Sequence, residues 1–306
     1  MDQLAALLDG PRARNAFLLR SLLNPPWSLR IQDEAPLTLA ALVRGSAWVL
    51  PDRGDPMELA PGEVAILRGP EPYTVADHPE TAPQIIIHPG QHCTTLDGQS
   101  LYQAMDLGVR SWGNDPDGAT VLITGTYQME GEVSRRLLEA LPALLKQPGG
   151  PVIGLLRDEI VKDEPGQEAV LDRLLDLLLI AALRSWFATH EAPAWYRAMG
   201  DPLVGRAMRM LQNNPAHPWT VAALAAQVGV SRASLARRFT DLVGEPPMAF
   251  LTDWRLAMAA DLLREPDATV GSVARKVGYG SPFALSTAFK RVRGVSPQEY
   301  RAGVLG

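Results

Sequence analysis

The sequence has few of the features that are typical of secreted or membrane proteins, namely disulfide-forming cysteines and long apolar segments. It contains one cysteine, Cys93, among 306 residues, which excludes an intramolecular disulfide framework and is typical of a reducing compartment. Its most apolar segment, residues 171–186, has at most seven consecutive uncharged residues, far below the ~20 that span a bilayer. The N-terminus shows no basic stretch followed by an apolar core, so no signal peptide is predicted. These absences predict a cytoplasmic protein without a membrane partner.

Catalytic motifs are equally scarce. No Gly-rich phosphate loop, nucleophile elbow or carboxylate pair stands out, so we predict a non-enzyme without a cofactor. The segment HPGQHC, residues 88–93, holds the remaining candidates: His88, His92 and Cys93 could bind zinc or copper, or Cys93 could be a redox-sensing thiol. A fourth ligand is not in view, and an isolated cysteine is usually a small buried hydrophobe. We therefore predict no metal site and favour a structural Cys93.

Charge is distributed unevenly along the chain. Residues 1–199 carry 16 Lys/Arg and 26 Asp/Glu, a net charge of −10, whereas residues 200–306 carry 13 Lys/Arg and 8 Asp/Glu, a net charge of +5. A basic end on an acidic body is typical of a protein that binds nucleic acid through that end. The composition thus points to the C-terminal third as the DNA-binding part.

The N-terminal half changes its hydrophobic period twice. Apolar positions in residues 1–20 predict an amphipathic helix. Residues 28–128 then contain short β-type runs between Pro, Gly and Asp turns, which predict a sandwich or small barrel. Their clearest members are LTLAALV, SAWVL, EVAILR, QIIIH and ATVLITGTYQ.

From Glu132 to His190 the apolar period becomes helical. VSRRLLEALPALL, VIGLLRDEIV and the long segment Gln167–His190 each predict a helix. The last is apolar around most of its circumference, so we expect it to be buried in the chain's own core or against a second copy. We predict a homodimer on this basis, with a hinge between His190 and Asp201.

The last ninety residues contain an internal repeat. Residues 220–244 align with residues 269–294 through a single one-residue gap, at Gly280. Each copy predicts a helix, a glycine turn and a second helix capped by Ser231 or Ser281, which is the helix-turn-helix unit. Proline positions predict one long connecting helix between the copies. In the second copy, Leu285, Phe289 and Val292 predict the buried stripe.

The exposed face at the start of each second helix contacts base edges in such units. Helical projection directs Arg237 outward, and a guanidinium can bind guanine O6 and N7. Phe283 is either a base contact or a core residue. The full set of predicted contacts to double-stranded DNA is Ser231, Ala233, Ala236, Arg237, Arg238, Ser281, Phe283, Ser286, Thr287, Lys290 and Arg291.

Residues 218–301 resemble the DNA-binding domain of the AraC/XylS family of bacterial transcription regulators. The resemblance is carried by SRASLARRF, LVGEPPMAFLTDWRLAMAADLLR, VARKVGYGSPFALSTAFKR and GVSPQEYR. It implies two helix-turn-helix units in successive major-groove segments. Many members carry Arg at the position of Thr287, so here the second unit is expected to hold the backbone more than it reads bases.

A second resemblance is carried by LTLAALVRGSAWVL, MELAPGEVAILRG, DEPGQEAVLDRLLDLLLIAALRSWF and WYRAMGDPLVGRAM. Through these segments, residues 1–190 are similar to the cupin-type sensor domain of one branch of that family. The resemblance implies an α+β protein: a cupin-like β-barrel domain (1–130), a helical dimerisation segment (131–195) and an all-α DNA-binding domain (200–306). It also implies a small-molecule effector, whose pocket we assign to Trp48, Tyr73, His88, His92 and Cys93. The metal ligands of enzymatic cupins are missing from the expected positions, which argues against metal-dependent chemistry. The alternative interpretation is a metal-dependent cupin enzyme fused to a DNA-binding domain.

Overall fold

In a computed structural model, the described residues are 16–127 and 137–305, and they form two compact units. The barrel unit comprises described residues 16–127 and 138–190, and the helical unit comprises Leu137 and residues 191–305. Within these ranges, no helix is both long enough and apolar enough to cross a membrane. The predicted α+β class is confirmed, with β-sheets in the first unit and helices alone in the described part of the second.

The described part of the barrel unit contains two six-stranded sheets. The first sheet has the strand order β10-β1-β11-β3-β6-β12, and the second has the order β5-β4-β7-β2-β8-β9. The strands are β1 Phe17–Leu23, β2 Ser28–Ile31, β3 Leu37–Arg44, β4 Ala47–Pro51, β5 Met57–Leu59, β6 Glu63–Arg68, β7 Tyr73–Ala76, β8 Ile85–His88, β9 His92–Thr95, β10 Ser111–Gly113, β11 Thr120–Tyr127 and β12 Leu144–Pro148. The five β-type runs of the sequence coincide with β3, β4, β6, β8 and β11.

The two sheets face each other across one apolar core. Ala40 and Leu42 of the first sheet share this core with Val49 and Val75 of the second. Alternate residues of β3, including Leu39, point to the other side of the first sheet and are equally buried. The first sheet is therefore covered on both faces.

Two helices cover the outer face of the first sheet. They are α1 (Pro151–Ile160), which contacts β3, and α2 (Gln167–Thr189), which contacts β12. A Cβ at Gly125 would collide with Leu175, so glycine at this position of β11 lets α2 lie directly on the sheet. Leu171, Leu175 and Leu178 are buried on that side of α2. Most of the apolar surface of α2 is thus used inside its own unit.

Two helix predictions in this unit are wrong. Phe17 and Leu18 lie in β1, which pairs with β11 and β10, whereas residues 1–15 lie outside the described part. Leu144 and Leu145 were predicted to be helical but form β12, an edge strand on β6. Both segments are apolar but do not alternate strictly. In each case the backbone forms hydrogen bonds with a neighbouring strand that would otherwise be unpaired, and this pairing favours a strand over a helix.

The described part of the helical unit contains eight helices. They are α3 Ala194–Met199, α4 Val204–Asn213, α5 Val221–Val228, α6 Arg232–Val243, α7 Pro247–Leu263, α8 Val270–Val277, α9 Pro282–Arg293 and α10 Pro297–Leu305. α5–α6 and α8–α9 are the two predicted helix-turn-helix units. α7 is the predicted connecting helix, and it begins with proline at its first position.

Each helix-turn-helix unit has its own core. Leu235 and Phe239 of α6 pack with Phe250 at the start of α7. Leu285 and Phe289 of α9 pack with Leu256 and Leu263 farther along α7. The connecting helix therefore supplies one wall to both cores, which fixes the spacing of the two units along its length.

Candidate nucleic-acid interface and barrel cavity

The two recognition helices, α6 and α9, begin in the same way. The Ser231 hydroxyl accepts a hydrogen bond from the Ser234 backbone N–H at 3.2 Å, and the Ser281 hydroxyl accepts one from the Ala284 N–H at 3.1 Å. The preceding turns contain Gly229 at φ +78° and Gly278 at φ +86°, a conformation that favours glycine. These caps fix where each recognition helix starts and which of its faces is left exposed.

The outer face of α6 carries a cation that is not engaged within the protein. Leu235 and Phe239 are buried, whereas Ala233 and Arg237 are exposed and Ala236 is half-buried. Among the described residues, Arg237 has no ion-pair or hydrogen-bond partner, so its guanidinium is available to a ligand. The small side chains of the two alanines leave room for a close approach to this face.

Arg238, the next residue, is occupied within the protein. Its Nη2 and Nε atoms donate to Asp201 Oδ2 at 2.6 and 3.0 Å. Asp201 also accepts the backbone N–H groups of Leu203 and Val204 at the start of α4. Burial raises the pKa of Asp201, but these hydrogen bonds outweigh it and hold the pKa below its usual range. Arg238 therefore links α6 to α4, a role that its prediction as a DNA contact did not include.

The outer face of α9 is apolar and neutral at its start. Phe283 is 80% exposed, which excludes the core role that the sequence left open for it. Thr287 is exposed beside it and Ser286 is half-buried. The predicted buried stripe is wrong at its last member, since Val292 is 46% exposed.

The far end of α9 is basic. Lys290 and Arg291 are exposed in the last turn, and Arg293 is half-buried there. Cations at this end favour the negative pole of the helix dipole. The two exposed cations also lie on a different part of the helix from Phe283, about two turns away by the helical rise.

The sequence analysis missed a contact that links the two helix-turn-helix units to each other. Arg255 of α7 donates to the carbonyl oxygens of Pro215 at 2.7 Å and His217 at 2.9 Å, both in the loop before α5. The same guanidinium lies 5.9 Å from the ring centre of Tyr279, in the turn before α9. Nothing in the sequence around an arginine in the middle of a helix indicates two backbone acceptors forty residues away.

The barrel unit contains a cavity of about 650 Å³. Of the predicted pocket residues, Tyr73, His92 and Cys93 line it, and so does Trp112. Trp48 and His88 are not among the residues that line this cavity. The remaining apolar side chains of the lining are Phe17, Leu18, Leu19, Leu29, Ile31 and Ile87.

The candidate metal ligands His88, His92 and Cys93 do not converge. In the hairpin β8–β9, His88 pairs with His92, whereas Cys93 pairs with Ile87, and alternation along β9 sends Cys93 to the opposite face from its neighbour. His88 is engaged by the Thr94 hydroxyl at 3.0 Å. No group of three His, Cys, Asp or Glu side chains suited to a metal ion occurs in the described part of the chain. Cys93 is 6% exposed and belongs to the inter-sheet core.

The cavity wall also contains polar residues, among them the charged side chains of Asp33, Asp106 and Arg110. The Trp112 side chain is buried, and its Nε1–H has no acceptor among the described residues. Burial, reinforced by the negative charge of Asp33, raises the pKa of Tyr73, so its hydroxyl is neutral at physiological pH. Asp33 itself accepts a hydrogen bond from Gln91 Nε2 at 2.8 Å. Trp112 thus lines the cavity, and its indole N–H is a buried donor without an acceptor in the described part of the chain.

The first unit is a barrel of two sheets, and the second contains two capped helix-turn-helix units connected by α7. Together they define the class of transcription regulators that contain a cupin domain. Residues 2–188 match the cupin family model, and residues 224–303 match the helix-turn-helix domain model. The chain belongs to the AraC family of DNA-binding transcription regulators, and both resemblances predicted from the sequence are confirmed.

Two known regulators match this chain over nearly their full length. An AraC-like transcription regulator of Streptomyces lividans is 31% identical over 312 residues, covering 98% of each chain. The regulator AlkR of Acinetobacter baylyi is 27% identical, covering 98% of this chain and 99% of its own. Among solved structures, the DNA-binding domain of AdpA in complex with target DNA is 36% identical, with a TM-score of 0.32, over 34% of this chain and 93% of its own.

Proposed function

We propose that this regulator binds its operator by placing α6 and α9 in successive major-groove segments, with Arg237 reading a base edge. The observation that carries the proposal is Arg237 itself: a guanidinium that is exposed on the outer face of a capped recognition helix and unpaired within the described structure. Such a group binds guanine O6 and N7 bidentately. Ala233 and Ala236 beside it allow the helix to approach the base pairs closely.

Four other predicted contacts hold the DNA backbone: Ser231, Ser281, Lys290 and Arg291. Ser231 and Ser281 sit at helix N-termini, where free backbone N–H groups favour phosphate. Lys290 and Arg291 supply cations at the other end of α9. Arg238 stays bound to Asp201, so it orients α6 and leaves base contacts to its neighbour.

Selection from a randomised duplex pool with the full chain tests this assignment. The expected result is one enriched motif in two parts, centred about one helical turn apart, roughly 10–10.5 base pairs, because two units bind one face of the duplex. Recovery of a single uninterrupted part of about half that length would contradict the use of both units.

We infer that the protein acts in the cytoplasm as a homodimeric, non-enzymatic regulator. The dimer is supported by α2, where Val170, Leu174, Leu177 and Ala181 follow the four-three spacing of a helix-pairing seam. Val170 and Leu177 are 44% and 47% exposed, and the other two are half-buried. The proposed partner is α2 of a second copy of the chain, because it presents the same apolar residues at the same spacing.

We also propose that the barrel cavity binds a small effector. A volume of about 650 Å³ lies in the range of small-molecule sites. The wall is mainly apolar, and Trp112 Nε1–H lacks an acceptor in the described structure. A mostly apolar molecule with one hydrogen-bond acceptor would match this wall and would bond the Trp112 N–H when the indole turns toward the cavity, because an unpaired buried donor costs free energy until it is bonded.

Thermal unfolding with two matched probes tests the cavity. 2-Acetylnaphthalene and 2-ethylnaphthalene have similar shapes, but only the first carries a carbonyl acceptor. The first should raise the Tm of the full chain more than the second, and Trp112→Phe should abolish that difference. Trp27→Phe is the matched control, because Trp27 Nε1 is also buried and unpaired in the described structure but does not line the cavity. Equal shifts by the two probes in the wild type would contradict the role of Trp112.

A further inference from the structure

Phe283 is the one phenylalanine of the described helical unit that lies on its surface. The other three, Phe239, Phe250 and Phe289, are each at most 2% exposed and form the two cores, whereas Phe283 is 80% exposed and makes no ring contact in the described structure. Aromatic side chains contribute most when they are removed from water. An exposed ring at this position gains from a partner outside the chain.

The position of Phe283 on α9 is equivalent to that of Ala233 on α6. Each is the second residue of its recognition helix, after the caps Ser281 and Ser231. In a helix-turn-helix unit, residues near this N-terminus contact base edges in the major groove. The phenylalanine ring therefore occupies a base-contacting position of the second unit.

The chemistry around Phe283 differs from that of the first unit. α6 presents the cation Arg237, whereas the corresponding residue of α9 is the neutral Thr287. Ser286 and Thr287 have hydroxyls that accept or donate to any base. The thymine C5-methyl is the apolar group that base pairs present in the major groove, so thymine is the base that a phenylalanine ring distinguishes.

We propose that the second unit selects thymine through Phe283. The operator then has two chemically distinct parts, a guanine-containing part under α6 and a thymine-containing part under α9. This assignment rests on the proposed docking of both helices in the major groove. It replaces the expectation that the second unit mainly holds the backbone.

Deoxyuridine substitution isolates the methyl group. Thymines in a duplex selected by the full chain are replaced one at a time by deoxyuridine, which keeps every hydrogen-bonding group and removes only the methyl. For wild type, one or two replacements in one part of the site should weaken binding about three- to tenfold, the range expected for one buried methyl contact. For Phe283→Ala, the same replacements should have no further effect, because the ring that meets the methyl is already absent.

Two variants serve as controls. Phe283→Leu should keep part of the uridine sensitivity, because leucine still packs on a methyl. Val292→Ala removes another exposed apolar side chain of α9 and should leave the sensitivity unchanged. Wild type that is indifferent to uridine throughout the site, or Phe283→Ala that remains sensitive, overturns the thymine assignment. A pool that yields no enriched sequence instead contradicts the proposed base readout by the protein as a whole.

Discussion

Arg237 and Arg238 are neighbours on one helix with different partners. Arg238 is bound to Asp201, whereas Arg237 has no hydrogen-bond or ion-pair partner in the described structure. Because about 100° of helical rotation separates successive residues, one side chain reaches α4 and the other projects outward. The same residue type at adjacent positions therefore has two different functions.

Replacing Arg237 by alanine tests base reading. The variant should lose about 1–3 kcal/mol of binding free energy on the selected duplex, as expected for one bidentate contact to guanine, and little on a scrambled duplex. Titration of both duplexes at fixed salt measures the two losses. Equal losses on the two duplexes would show that Arg237 holds phosphate.

Replacing Lys290 or Arg291 by alanine tests phosphate binding. Affinity for selected and scrambled duplexes should fall together, and the slope of log K against log salt should become shallower by about 0.9 for each phosphate that is no longer neutralised. Arg157→Ala, at an exposed arginine of the barrel unit, should leave the slope unchanged. A slope identical to wild type in both α9 variants would place these cations away from DNA.

Asp201→Asn tests the Arg238–Asp201 ion pair that links α6 to α4. The pKa of Asp201 is lowered in the folded protein, so its ionised form stabilises the fold at neutral pH, and that stabilisation is lost as the pH falls through the folded pKa. The variant should be about 1 kcal/mol less stable at neutral pH, and the gap should close below about pH 4. Urea unfolding of residues 191–306 at several pH values measures the difference in stability between the variant and wild type. Asp241→Asn, which removes an exposed carboxylate of α6, should have little effect.

At the scale of elements, α2 has two apolar faces with separate uses. Leu171, Leu175 and Leu178 cover the first sheet, and the seam of Val170, Leu174, Leu177 and Ala181 is left at the surface. The apolar circumference predicted burial on all sides. One side is buried within the chain, and the other is the proposed dimer contact.

Leu177→Glu should separate the dimer. A charge placed in the seam of both copies should raise the dimer Kd about 100-fold or more, as for other central interface residues. Sedimentation velocity at micromolar concentration measures the change. Leu96→Glu, at a leucine that is 64% exposed on a barrel loop, is the matched control. A Leu177→Glu protein that still sediments as a dimer would contradict the proposed interface.

At the scale of the whole molecule, self-association raises the effective concentration of the second DNA-binding unit. Residues 191–306 alone should therefore bind the selected two-copy site more weakly than the full chain, by about 10- to 100-fold at low nanomolar protein. On a duplex with one copy of the site, fragment and full chain should bind similarly. A fragment that matches the full chain on both duplexes would argue against a dimer on DNA.

The sequence by itself determined the local features of the DNA-binding unit. The caps at Ser231 and Ser281, the turns at Gly229 and Gly278 and the ends at Gly244 and Gly294 follow from hydrogen bonds and backbone angles within a few residues. The repeat of this pattern was sufficient to predict two units and a connecting helix. Strongly apolar, turn-bounded strands such as β3 and β6 were predictable for the same reason.

Only the tertiary structure decided which apolar segments pair and which side chains stay free. Residues 17–20 were predicted to be helical but lie in β1, because their backbone pairs with β10 on one side and β11 on the other. Phe283 has the same hydrophobicity as the core phenylalanines, yet α9 directs it outward. Arg255 contacts loop carbonyls forty residues away. Such outcomes depend on distant partners competing for the same surface, and short-range patterns contain no information about them.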